Sequence, residues 1–340
     1  MNPAKLLSRL PIDHYLLLLI GTVILAAVLP ARGIWAHVSS FAVYGAVALL
    51  FFLYGARLAP KAVVEGLLHW RLQSLVFAST FILFPLLGLG ITTALRPWLP
   101  PALSLGIMFV CVLPSTVQSS IAFTSIGRGN VPAALCSASV SNLFGMVVTP
   151  ALVALLLSGS GGFSAQGLED IALQLLLPFV AGQAVRPLIG AWLLRHKRIT
   201  SVVDRGSVLL VVYAAFSAGM VAGIWHQVGW QSLALILVVD LALLAIVLAA
   251  TTMASRAAGF SKEDEIAIVF CGSKKSMAAG IPMANILFHN HAIGLIVLPL
   301  MLFHQAQLFA CATLAQRYAR RPVIGQTPAE ARAALPASAG

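Results

Sequence analysis

The chain has 340 residues, of which 60% are hydrophobic and 9% charged, and its mean hydropathy is +0.96. Soluble domains carry about 25% charged residues, so a soluble α/β protein is excluded. Apolar runs of near twenty residues recur along the whole length and place the chain among all-α polytopic membrane proteins. The formal net charge of +11 would suit a nucleic-acid partner, but the basic residues are spread over short loops between apolar runs. The lipid bilayer is the expected surrounding, and no nucleic acid is.

Ten spans are expected: His14–Pro30, Val38–Leu58, Leu72–Leu95, Leu103–Ile126, Val131–Leu157, Ile171–Leu194, Gly206–Trp225, Trp230–Ser255, Ile266–Phe288 and Ala292–Tyr318. With the N-terminus inside, sixteen of the 21 Lys and Arg residues fall on the inner side, and Arg32 and Arg96 fall on the outer. Arg186, Lys274 and Lys275 lie within spans. The positive-inside rule then puts both termini in the cytoplasm, in a plasma membrane or a bacterial inner membrane. Lys5 and Arg9 ahead of the first span read as the flank of a retained helix, without a small-residue cleavage site. Cys111, Cys136, Cys271 and Cys311 fall inside spans without zinc or disulfide spacing and read as packing residues.

In chain order, Gly45, Gly88, Gly90 and Gly219 are candidates for close helix packing. Span 4 is interrupted by Pro114-Ser115-Thr116-Val117-Gln118-Ser119-Ser120. Span 5 carries Ser137, Ser139, Ser141 and Asn142; Ser137 and Ser141 share a face, as interhelical glue or as cation ligands. Ser158 to Gly162 is a flexible polar linker. Span 8 holds Asp240, alone among the ten acidic residues in lying deep in a span, and such a residue needs a partner. Span 10 holds a polar cluster, His304, Gln305 and Gln307. Thr327 to Gly340 is an Ala/Pro-rich tail.

Span 9 is the most informative. Gly272-Ser273-Lys274-Lys275-Ser276 lies within it, between flanking apolar segments. Lysine at the centre of a membrane helix costs about 3 kcal/mol. Adjacent residues on a regular helix point ~100° apart, so both lysines cannot face one partner unless the helix unwinds. Gly272 and Pro282 permit that, and irregular backbone at this depth must lie inside the protein or beside a cavity.

The linker divides the chain into residues 10–157 and 171–318, with 158–170 between and a tail at 319–340. An odd number of spans per half forces the halves into opposite orientations, as in inverted-repeat transporters. Span 6 starts 157 residues after span 1, and the same offset carries Cys271 back onto Pro114. Matched interrupted segments point to a midplane site.

At these two breaks the sequence resembles the bile acid:sodium symporter family, and more narrowly its SBF-like branch with the Cys-Gly-Ser-Lys-Lys-Ser run. Leu113 to Ala122, Arg128 to Val131, Thr149-Pro150 and Phe270 to Pro282 carry the likeness. It implies a core bundle of spans 3, 4, 5, 8, 9 and 10, a panel of spans 1, 2, 6 and 7, and broken spans 4 and 9 that cross. Sodium-coupled members offer Ser-Asn where Ser119-Ser120 stand here, and a ligating glutamate at Phe270. Glutamine and asparagine stand at Lys274 and Lys275, glutamine at Thr80, and Ser and Thr at Ala134 and Ala138. Ammonium groups donate and cannot accept, so these departures argue against a conserved sodium site, and Ser119 and Ser120 are metal candidates only if one persists.

The expected function is secondary transport of a small, anionic organic solute, with a proton or sodium as the coupling ion. Site candidates are Thr80, Thr116, Gln118, Ser119, Ser120, Ser137, Ser141, Asn142, Asp240, Ser273, Lys274, Lys275, Ser276 and His304. Two roles for the lysines stay open: an ammonium in the sodium's place, paired with Asp240, or an attractor of the anionic solute. No cofactor is expected, and no enzyme, since no His-Glu-x-x-His or Gly-x-Ser-x-Gly motif occurs. A transport-silent regulator of ion homeostasis with a carrier fold is the alternative.

Overall fold

The computed structural model describes residues 14–57, 69–157, 165–221, 223, 229–288 and 291–321. Among them every regular element is a helix: α1 (His14–Val28), α2 (Ile34–Arg57), α3 (Trp70–Ala78), a π-helical turn (Ser79–Leu83), α4 (Phe84–Ala94), α5 (Pro101–Val112), α6 (Val117–Ile126), α7 (Val131–Leu157), α8 (Ala165–Arg195), α9 (Lys197–Val221), α10 (Trp230–Ala257), α11 (Lys262–Gly272), α12 (Met277–Leu287) and α13 (Ile293–Ala319). In lipid every backbone polar group must be satisfied internally, which a helix does within one segment. Among the described residues seven helices are long and apolar enough to cross a membrane, α3, the π turn and α4 counting as one, or eight if α5 and α6, bent by 59° at their break, form one span.

The expected linker is helical from Ala165 onward, where α8 begins; Ala165, Gln166 and Leu168 in its first turn are good helix formers, and Gly167 between them is not. Residues 158–164 and 322–340 lie outside the described residues, so nearly all of the tail does too.

The helices pack as two groups. One gathers α1, α2, α8 and α9; the other gathers α3 with the π turn and α4, α5 to α7, and α10 to α13. The first group reaches the second mainly through α9 on α12 and α13 and through α8 on α7 and α12. Within the first group α2 and α8 touch backbone to backbone, because a Cβ on Gly55 or Gly182 would collide with the carbonyl of Phe179 or Phe52. Of the glycines expected to bring helices together, Gly88 lies against Cys111, whereas Gly45 and Gly90 have open space around them. Apolar spacing alone does not distinguish a glycine facing a helix from one facing lipid.

Candidate functional site at two facing helix breaks

Both expected breaks exist. The chain leaves helical geometry between α5 and α6 and again between α11 and α12, and the two unwound segments touch. The Ser276 amide donates to Pro114 O at 2.9 Å, and Ser115 Oγ donates to Cys271 O at 2.6 Å.

A broken helix exposes its last carbonyls as orphan acceptors. At the end of α11 four serines take them in turn: Ser273 Oγ bonds Val269 O, Ser120 Oγ bonds Phe270 O, Ser115 Oγ bonds Cys271 O, and Ser79 Oγ bonds Gly272 O. At the end of α5, Thr149 Oγ1 caps Val112 O at 2.8 Å. A lysine takes the neighbouring carbonyls. Lys275 Nζ donates to Cys111 O at 2.9 Å, to Leu113 O at 2.7 Å and to Thr80 O at 2.9 Å. An ammonium has three N–H donors, and all three are placed.

The availability of Thr80 O has a local cause. In an α-helix the Phe84 amide would bond it, but through the π turn that amide bonds Ser79 O instead. The next amide in the π register would come from residue 85, which is a proline with no N–H. The helix thus leaves one carbonyl undonated where the ammonium arrives. The ring of Phe84 lies 4.0 Å from the same nitrogen, a cation–π contact. The negative end of the α5 dipole adds to the attraction. Behind the lysine, Gln307 clamps its backbone: the Lys275 amide donates to Gln307 Oε1 at 2.8 Å, and Gln307 Nε2 donates to Lys275 O at 3.0 Å.

Lys274 is also fully buried but differently served. Its Nζ donates to Ser119 O at 2.8 Å and lies 4.1 Å from the Phe123 ring and 5.2 Å from that of Phe270. One carbonyl and two aromatic faces hold it, so two of its N–H groups have no oxygen partner.

Neither lysine pairs with Asp240. The carboxylate is fully buried and both of its oxygens lack a hydrogen-bond partner. The expected ion pair is absent because Lys275 reaches across to the α5 end and the π turn, not toward α10. Thr80 contributes its carbonyl, and its hydroxyl is buried without a partner, as is that of Ser137. Ser141 Oγ accepts from the Ser115 amide, and Asn142 Nδ2 donates to Ser115 O. These two hold the break in place, as interhelical glue. Ser119 Oγ donates to Thr116 Oγ1 at 3.4 Å, Ser276 Oγ caps α12 by accepting from the Ala279 amide, and His304 Nδ1 lies 2.8 Å from Gln307 Nε2. Gln118 is exposed. Ser120 Oγ donates to Phe270 O, and Ser119 O accepts from Lys274. Among the described residues no cluster of three or more His, Cys, Asp or Glu side chains could hold a metal ion.

Ser79, Thr149, Phe84 and Gln307 matter to this site and were not among the candidates. Gln307 was visible as a polar residue in an apolar span. Ser79 and Thr149 differ little from ordinary span residues, and Phe84 gives no signal at all in an apolar helix.

The family model for the SBF-like CPA transporter family matches residues 13–320. The chain belongs to this family. It is 56% identical over 311 residues to the Uncharacterized protein PA2026 of Pseudomonas aeruginosa, covering 91% of this chain and 93% of that one. It is 51% identical over 312 residues to the "Putative symporter YfeH" of Escherichia coli, covering 91% and 94%. It is 31% identical over 280 residues to Sodium/bile acid cotransporter 7 of Rattus norvegicus, covering 80% and 81%. The transporter family and the apolar helices together make this a membrane transporter-family protein.

A cavity of about 110 Å³ lies between the two helix groups, lined by Tyr44, Val47 and Ala48 on α2, Leu177 and Pro178 on α8, and Asn285 and Ile286 on α12. Ligand sites for drug-sized molecules take roughly 300 Å³ or more, so this cavity is too small to be one.

Proposed function

We propose that this protein is a secondary carrier that moves a small, anionic organic solute by alternating access, with no sodium ion at its centre. The single observation that carries the reading is Lys275: its ammonium occupies a cradle of three carbonyls at the end of a broken helix. Such carbonyls suit a bound cation, and here the cation is covalently part of the chain. Two cations 4 Å apart repel by about 4 kcal/mol at a surface-like effective dielectric, so a sodium ion is excluded while the ammonium stays.

The lysines divide the two roles left open by the sequence. Lys275 is the fixed cation. Lys274, with one carbonyl and two rings for partners, keeps two N–H donors for an anionic group. In this reading the chain makes ten spans as two inverted five-helix halves, residues 10–157 and 171–318, with both termini inside. The group of α1, α2, α8 and α9 is the panel, against which the other helices swing.

Counterflow in proteoliposomes tests it. Vesicles loaded with a panel of small carboxylates and sulfonates should take up at least one labelled member equally well in sodium and in choline buffer. Uptake that requires sodium would overturn the sodium-free mechanism. No flux with any member, from protein that is folded and correctly inserted, would favour the transport-silent regulator.

A further inference from the structure

A lysine fixed to the chain could couple transport only through its proton, and the Lys275 ammonium is committed to three carbonyls. Asp240 on α10 is the one deep carboxyl in the sequence. It is 0% exposed and both oxygens lack any partner.

The helices packed on α10 are α13, α11, α3, the π turn, α4 and α5. Their charged groups gather at the far end of α10. Arg71 of α3 bonds Ala258 O, Arg256 pairs with Glu265 of α11, and Lys262 and Tyr318 bond the same carboxylate. Glu263 is tied to Arg321 and Asp264 to Asn130, and Arg317 lies in the last turn of α13. Arg256 is sixteen residues beyond Asp240, about 24 Å along the helix. The π turn and α4 carry no titratable side chain.

The remaining titratable groups on these elements are Cys111 of α5, Cys271 of α11, and His304 and Cys311 of α13, with the two lysines of the break. Cys111 lies within electrostatic reach of both Asp240 and Lys275. The Lys275 ammonium is committed to three carbonyls, Lys274 to Ser119 O, and His304 Nδ1 lies against Gln307. None of these groups donates to Asp240. An ionised carboxylate in such a place costs far more than a neutral carboxylic acid.

We propose that Asp240 is a proton-binding site, whose carboxyl holds a proton while it is buried as here and releases it when the surrounding helices part and admit water. The O–H bond forms with a proton taken from water on one side of the membrane and breaks by returning that proton to water on the other. Nothing is oxidised or reduced. That this proton is the coupling ion rests on the carrier reading above; that the site holds a proton does not.

Infrared spectroscopy of the full chain in lipid nanodiscs tests the site without any solute. At neutral pH the wild type should show the carbonyl stretch of a neutral carboxylic acid, absent in Asp240→Asn and displaced in Asp240→Glu. If Asp240→Asn fails to assemble, the Asp240→Glu comparison decides. A wild-type spectrum with no neutral-acid band at pH 7, or a band that Asp240→Glu leaves unmoved, would overturn the assignment. The band present in protein that catalyses no counterflow would keep the proton site and remove its coupling role.

Discussion

Lys275 Nζ bonds the backbone carbonyl of Thr80 at 2.9 Å across 195 residues of chain, and that carbonyl is one its own helix has left without a donor. The π turn redirects the Phe84 amide, and Pro85 has none to offer. A local irregularity in one helix and a buried charge in another therefore satisfy each other, and each would be costly alone.

The two lysines differ in worth. Lys275→Met strands three buried carbonyls and should lower stability by roughly 3–5 kcal/mol, whereas Lys274→Met loses one hydrogen bond and two aromatic contacts, roughly 1–2 kcal/mol. Lys275→Arg should not rescue, because a planar fork cannot address three convergent carbonyls. Thermal unfolding in detergent checks the order. Equal losses at 274 and 275 would contradict it.

Gln307 is expected to act through the backbone of Lys275. Gln307→Leu leaves both the amide and the carbonyl of residue 275 unpaired, at a cost of roughly 2–4 kcal/mol. Gln307→Glu keeps the acceptor and loses only the donor, so its melting temperature should fall between those of Gln307→Leu and the wild type. A Gln307→Leu protein that melts with the wild type would show that the clamp is dispensable.

Glu265 predicts the acid limb of stability at the start of α11. Burial pushes its carboxyl up, but hydrogen bonds from Arg256, Lys262 and Tyr318 outweigh that and hold it below the ordinary carboxylate range. A carboxyl lowered in the folded state contributes stability that is present above its unfolded value, about 4.3. That stability is lost as pH falls through the folded value. Glu265→Gln should therefore melt lower than wild type at pH 7, by roughly 1–2 kcal/mol given the exposed Arg256 and Lys262. The gap should narrow as pH drops below about 4. A gap that widens on acidification would reverse the sign.

Topology is open to direct measurement. Reporter fusions at Gly161 and His291 should lie outside, and fusions at Lys197 and Arg320 in the cytoplasm, as ten spans in two opposed halves require. A cytoplasmic Gly161 would end the five-plus-five arrangement.

Much of the framework was legible in the sequence because lipid imposes few choices. Apolar length announces helices, and the polar runs at Pro114–Ser120 and Gly272–Ser276 announce breaks, since each costs several kcal/mol unless the fold uses it. The meeting of the two breaks followed from their matched positions. Partner choice was not legible. Asp240 was the obvious counter-ion for one of the two lysines on charge, yet Lys275 is held by three uncharged carbonyls and Lys274 by one. The availability of one of them, Thr80 O, depends on a π turn and the proline two residues after it, which no charge pattern records. Ser120, a metal candidate only if a sodium site persists, caps the end of α11 by donating to Phe270 O, and a capping role of that kind leaves no mark in the charge pattern either.

The sodium response of the melting temperature bears most directly on Lys275 as the built-in cation. Purified protein is unfolded in rising sodium chloride, potassium chloride and N-methylglucamine chloride at matched ionic strength. A ligand that binds only the folded state raises stability by RT ln(1 + [L]/Kd), about 2.7 kcal/mol at a hundredfold excess over Kd. With the cradle filled by Lys275 the three curves should superimpose. A saturable rise specific to sodium in the wild type would mean that an ion site coexists with the ammonium, and would contradict it.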